Sequence, residues 1–152
     1  MALRNILTGE NNERLRRKSR EVDNIDERII RLLDDMKETL ARAEGIGLAA
    51  PQIGVLRRVA IIMADDELYE LINPKIIKKT GKQFESEGCL SLPNLFGKVE
   101  RPEKIVVEAR GRNGKKFRFE ADNLLCRAVC HEIDHLDGVL LSDIMVEEDT
   151  EN

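Results

Sequence analysis

The sequence predicts an α+β fold, with antiparallel or mixed β-sheets around a central C-terminal helix and an amphipathic helix near the N-terminus. Two stretches, residues 25–43 and about 122–136, repeat their apolar residues at helical spacing, and between them lie β-branched runs broken by turn residues. In the first stretch Ile25, Ile29, Leu33, Met36 and Leu40 fall on one face, and Asn24 with Glu27 resembles a capping box. Strands are expected over 58–64, 71–78, 82–89 and 104–110. Asn113-Gly114 is a two-residue hairpin signal leading into a strand over 116–120. The second helix comes last. No linker, repeat or low-complexity block interrupts the order, so residues 1–152 read as one domain around one core.

The last helix carries the chemistry. His131 and His135 are the only two histidines, and they flank Glu132 in His131-Glu132-Ile133-Asp134-His135. A separation of four puts both rings on one side of a helix, where they can hold one metal ion. Glu132 can then take a proton from a bound water, a hydrolytic arrangement rather than a structural one. Asp134 is offset from the histidines about as far as Glu132, and the extra methylene of glutamate gives Glu132 the reach. Asp134 is left as a partner for a ring N–H or as a solvated group. Two ligands hold an ion too loosely, so a third is needed. In the pattern H-E-x-x-H-x-x-G-x-x-H, Gly138 matches the glycine but Leu141 stands at the third histidine. Downstream carboxylates such as Glu147 and Glu148 belong to an acidic tail. Upstream, Cys89 in Glu87-Gly88-Cys89-Leu90-Ser91 is the better candidate, since a thiolate on a glycine-flanked turn can approach a helix face. Cys130 points roughly 100° to 140° away from the imidazoles. Cys126 and Cys130 read as small buried hydrophobes.

The glycine-rich segment Gly45-Ile46-Gly47-Leu48-Ala49-Ala50-Pro51-Gln52-Ile53-Gly54 contains G-x-G-x-x-A, with Asp65 and Asp66 downstream, a superficial dinucleotide fingerprint. That fingerprint needs a strand before it and a helix after it. Here a helix precedes, and Pro51 with Gly54 breaks any helix that follows. The glycines more plainly let the backbone approach a ligand, with Gln52 as an uncharged donor.

Together, Gly45 to Gln52, Glu87-Gly88-Cys89-Leu90-Ser91 and His131-Glu132-Ile133-Asp134-His135-Leu136 resemble the three signature motifs of the peptide deformylases, in that family's order. Arg4-Asn5-Ile6 and the stretch from Arg14 to Val22 resemble its N-terminal region. The resemblance implies that Cys89, His131 and His135 bind the metal and that Glu132 is the general acid and base. It implies that Gln52 and the Leu90 N–H hold the formyl oxygen, while Ile46, Gly47, Gly88 and Arg101 contact the substrate or brace the site. It implies one divalent ion per chain, natively Fe(II), with zinc, nickel or cobalt suited to the same ligands in isolated protein. The substrates it implies are nascent N-formylmethionyl polypeptides, met in the cytoplasm with transient ribosome association. The sequence departs from the family at three places. Cys130 precedes His131 where glutamine is usual, and Arg127 stands where some members place an aliphatic residue in the methionine pocket. The tail Glu147-Glu148-Asp149-Thr150-Glu151-Asn152 is acidic, which sets it against tail-mediated ribosome docking.

Composition fits this reading and excludes others. A net charge of −4 with no long basic stripe argues against nucleic-acid binding, and the run from Arg14 to Arg20 reads as a solvated face. No long apolar run suggests a membrane span, and an odd count of 3 cysteines suits a reducing compartment. Two other classes compete with the hydrolase: a zinc peptidase, which lacks its downstream ligand, and a metal-stabilised, non-catalytic module closed by Cys130 or Asp134 as fourth ligand.

Overall fold

The computed structural model describes residues 2–148; Asp149 to Asn152 of the acidic tail lie outside the described residues, as do the side chains of Glu147 and Glu148. After a short 3-10 turn, Glu13–Arg16, the chain forms α1 (Glu27–Ala43), β1 (Gly47–Ala49), a second 3-10 turn, Ala50–Ile53, and β2 (Val59–Ala64). There follow β3 (Glu67–Thr80), β4 (Gln83–Cys89), β5 (Leu92–Arg101), β6 (Lys104–Arg110), β7 (Lys116–Asp122), α2 (Asn123–Leu136), α3 (Leu141–Ile144) and β8 (Glu147–Glu148). Five strands form an antiparallel sheet in the order β1-β2-β3-β6-β7, and three form a second in the order β4-β5-β8. This is the α+β arrangement the sequence predicts.

Strand β2 shows why the large sheet holds a helix on each face. Its residues are apolar on both sides because successive side chains point oppositely. Val59 and Ile61 join Ile29, Leu33, Met36 and Leu40 of α1 in one cluster, whereas Ile62 and Ala64 join Cys126, Val129 and Cys130 of α2 in another. A smaller cluster of Leu15, Leu92, Val99, Leu140 and Leu141 ties the N-terminal region to β5 and α3. Helix α2 is thereby enclosed by the large sheet on one side and approached by β4 and β5 on another.

Several boundaries differ from the sequence reading. The cap of α1 is Asp26, whose carboxylate accepts from Arg28 N (3.0 Å) and Ile29 N (3.2 Å), so Asn24 lies outside the helix. Asn113-Gly114 does not form a two-residue turn: Gly111 N–H bonds Lys115 O (3.1 Å), Gly114 N–H bonds Gly111 O (2.9 Å), and Gly114 alone is left-handed at φ +81°. That is a three-residue loop ending in a glycine bulge. The two-residue turn occurs instead at Asp65-Asp66, both left-handed at φ 53° and 61°, between the paired Ala64 and Glu67. Aspartate tolerates that region because its short side chain can bond locally. Strand β3 outruns the expected 71–78 because Glu67–Ile72 pair with β2 while Ile72–Thr80 pair with β6. Strand β5 carries no regular alternation because Pro93, left-handed Asn94 (φ 68°) and Gly97 break its pattern.

Candidate active site

Strand β4 lies along α2, and their contacts run in step. Gln83 Nε2 donates to Asn123 O at 3.3 Å, Glu87 Oε1 lies 3.0 Å from His131 Nδ1, and Cys89 Sγ lies 3.2 Å from His135 Nε2. Residues two apart on a strand share a face, so Glu87 and Cys89 both look at the helix. A break in register between Gly88 and Cys89, where β4 turns into β5, sets the direction of the cysteine side chain. Ligand atoms of Cys89, His131 and His135 all lie within 4.8 Å of one another, with the two ring centroids 5.1 Å apart. One thiol sulfur and two imidazole nitrogens at that separation fit a divalent metal ion.

Arg101 organises the charges behind this centre. It grips Glu87 through two bonds, Nε to Oε2 (3.0 Å) and Nη2 to Oε1 (2.9 Å), and donates Nη1 to Asp134 Oδ2 at 2.6 Å. Burial pushes the Glu87 carboxyl up, but hydrogen bonds from His131 and Arg101 outweigh it and hold the group down at about 2. An ionised Glu87 can accept from His131 Nδ1–H, the tautomer that would leave Nε2 as the nitrogen able to ligate. The partner of the imidazole N–H is therefore Glu87, and Asp134 serves Arg101 instead. The sequence reading gave Glu87 no role, although its position two before Cys89 on a strand was the signal for it. Arg101 does not line the cleft; it braces the site from behind.

Glu132 is buried, and that burial raises its carboxyl to about 7 despite the nearby His131. Its Oε1 has no hydrogen-bond partner among the described residues. The carboxylate packs on β1 so tightly that a Cβ at Gly47 would come within 2.5 Å of Glu132 Oε2. Gly45 is confined in the same way by Leu90. The two glycines thus make room for Glu132, Leu90 and Leu40 of this chain while also lining the cleft. Helix before, three-residue strand and 3-10 turn after, this segment has none of the dinucleotide-binding context.

Gln52 sits in the second 3-10 turn, buried, with its orientation fixed by Ala49 N donating to Oε1 at 2.9 Å. Its amide nitrogen is thereby aimed at the centre, 3.0 Å from Ser91 Oγ and 3.9 Å from Cys89 Sγ. Ser91 is a further polar neighbour that the sequence reading left without a role. Leu90, in the turn after Cys89, lines the same cleft.

The cleft encloses about 530 Å³ and is lined by Ile46, Gly47, Gln52, Gly88, Cys89 and Glu132, among others. Half-exposed Ile46, Leu124 and Phe96 form its apolar rim, and the Phe96 ring lies against Gly88. Its two walls include β1 and β4, each an edge strand of its own sheet. Cys126 and Cys130 stay out of it: both are buried, Cys126 Sγ donates to Pro102 O at 3.2 Å, and burial drives the Cys130 thiol up to about 12.

A sequence profile described as Polypeptide deformylase matches residues 3–151. Peptide deformylase of Caldicellulosiruptor bescii is 55% identical over 146 residues, spanning 96% of this chain and 87% of that protein. The Acetivibrio thermocellus peptide deformylase is 53% identical over 146 residues, covering 96% and 85%. Among solved structures, the peptide deformylase of Thermotoga maritima superposes with TM-score 0.92 at 31% identity, covering 95% of this chain and 99% of that one. The Synechococcus elongatus peptide deformylase in complex with actinonin gives 0.89 at 38% identity, covering 97% and 79%.

Proposed function

The chain belongs to the polypeptide deformylase family, and we propose that Cys89, His131 and His135 hold its metal ion, that Glu132 moves the proton, and that Gln52 with the Leu90 N–H receives the formyl oxygen. The protein is a metal-dependent hydrolase that removes the N-terminal formyl group from nascent polypeptides and releases formate. What supports the residue assignment is the convergence of one thiol and two imidazoles within 4.8 Å beside a buried carboxylate. When bound, the ion supplies Lewis acidity for the formyl carbonyl and for a water molecule.

The chain's own groups do the rest. Glu132, with a carboxyl near 7, can accept a proton from the attacking water and return it to the departing amine at neutral pH. Gln52 Nε2, held by Ala49, donates to the oxygen as the formyl carbon becomes tetrahedral. The peptide adds as a strand between the free edges of β1 and β4, beside Ile46, Gly47 and Gly88, and its methionine side chain enters the apolar cleft. Arg101 acts from behind by fixing Glu87 and so His131.

The native ion is Fe(II), with zinc, nickel and cobalt accommodated by the same donors. A thiol ligand belongs in a reducing cytoplasm. Residues 1–152 act as one catalytic domain, and its contact with the ribosome, where substrates emerge, is transient. Metal analysis combined with formate release from formyl-Met-Ala-Ser tests the assignment. Cys89→Ala, His131→Ala and His135→Ala should each lose the ion, while Cys126→Ser and Cys130→Ser keep it. Full retention by any of the first three removes that residue from the centre. Cleavage of the Met-Ala bond without formate would refute the mechanism.

A further inference from the structure

Arg127 is a cation in the cleft wall that meets no carboxylate among the described residues. It lines the cleft from α2, one turn before His131 and beside Leu124 and Ala128. Its Nη1 donates to Gln83 Oε1 at 2.7 Å, a neutral partner, and no carboxylate lies within ion-pair distance of it among the described residues. Arg4, Arg58, Arg101 and Arg112 by contrast each meet a carboxylate. Gln83 is itself locked: its Nε2 donates to Pro102 O at 2.9 Å and to Asn123 O at 3.3 Å, which turns its carbonyl toward the guanidinium. The long side chain is thus held in place without being neutralised, where a glutamate at 83 would have cancelled it. Of the other charged groups lining the cleft, Glu87 is bound by Arg101 and His131, Glu132 is buried, and Glu44 caps α1 on an exposed position.

We propose that Arg127 is a specificity-determining residue that favours nascent chains carrying an acidic side chain at the third residue, two after the formylmethionine. This rests on the deformylase reading above. A peptide added as a strand alternates its side chains, so the third residue points to the same wall as the methionine, the wall that Leu124, Arg127 and Ala128 build. A guanidinium in that wall attracts a carboxylate and repels an ammonium, and its partly solvated setting keeps the effect modest.

The experiment compares kcat/KM for formyl-Met-Ala-Glu and formyl-Met-Ala-Lys peptides, extended and amidated so that no terminal carboxylate competes, with formyl-Met-Ala-Ser confirming deformylation. The wild-type enzyme should prefer glutamate over lysine by about 3- to 10-fold at low salt, with the ratio shrinking as salt rises. Arg127→Lys should retain the preference, Arg127→Gln should abolish it, and Arg127→Glu should invert it. Because the readout is a ratio on one preparation, a partly folded variant does not distort it. A wild-type ratio below about twofold, a preference confined to the second residue, or one that survives in Arg127→Gln overturns the inference while leaving deformylation itself intact.

Discussion

Replacing Gly47 with alanine should displace the Glu132 carboxylate, proposed above to move the proton, without touching Cys89, His131 or His135. The new Cβ would lie 2.5 Å from Glu132 Oε2, 3.0 Å from Cδ and 3.1 Å from Cγ, where ordinary contact begins at 3.4 Å. Neither backbone yields readily, because Gly47 is in register with Ile62 in β1 and β2 and Glu132 sits inside α2. The carboxylate must therefore swing by roughly 1 Å, a misplacement that costs about 10²-fold in rate, and the crowding adds about 1–3 kcal/mol of destabilisation. Kinetics on formyl-Met-Ala-Ser with metal analysis and thermal melts check this: kcat should fall about 10²-fold, metal content should stay, and Tm should drop by several degrees. A rise in KM at constant kcat would assign Gly47 to substrate contact alone. The decisive comparison is with Glu132→Ala, in whose background Gly47→Ala should reduce kcat little further, since the clashing group is gone. Parental kcat in the single variant, or full additivity in the double, refutes the reasoning.

Glu132→Gln should retain metal and substrate binding while kcat falls by roughly 10² to 10⁴, and a near-parental rate would move the proton to another group. Gln52→Leu should lower kcat by about 10² to 10³ more than it alters KM, and it should also cost about 1–3 kcal/mol because Ala49 N–H loses its buried acceptor. Arg101→Met leaves Glu87 and Asp134 without their common cation, so chemical denaturation should show a loss of about 3–5 kcal/mol. Asp35 offers a pH test remote from the metal. Burial pushes its carboxyl up, but bonds from Arg4 and the Ala2 N–H outweigh this and hold it below 3.8. A depressed carboxyl stabilises the fold above its unfolded value and loses that contribution as pH falls through the folded one. The Tm gap between the parent and Asp35→Asn should therefore be full near neutrality and close as the pH falls below 3.8, and a gap that widens in acid would contradict the assignment.

By itself the sequence determined the elements whose signals are local. The helical period of α1, the H-E-x-x-H spacing on α2 and the apolar runs of β2 and β6 are set by neighbours within a few residues, and they survive in the structure almost at their expected ends. Spacing also put both histidines on one helix face, and the glycine-flanked Cys89 could be singled out before any fold was known. Tertiary structure alone decided what those residues meet. Glu87 became the acceptor of His131 and Asp134 the partner of Arg101 because β4, β5 and α2 come together across separations of 14 to 44 residues, which no local pattern encodes. A side chain at position 47 is ruled out by Glu132, far along the chain, which packs against it. Strand β5 likewise exists through its pairing with β4 and in spite of its own proline and glycine. Side-chain chemistry and short-range periodicity are properties of the chain, whereas proximity between distant segments is fixed only when burial of both faces of the large sheet brings them together.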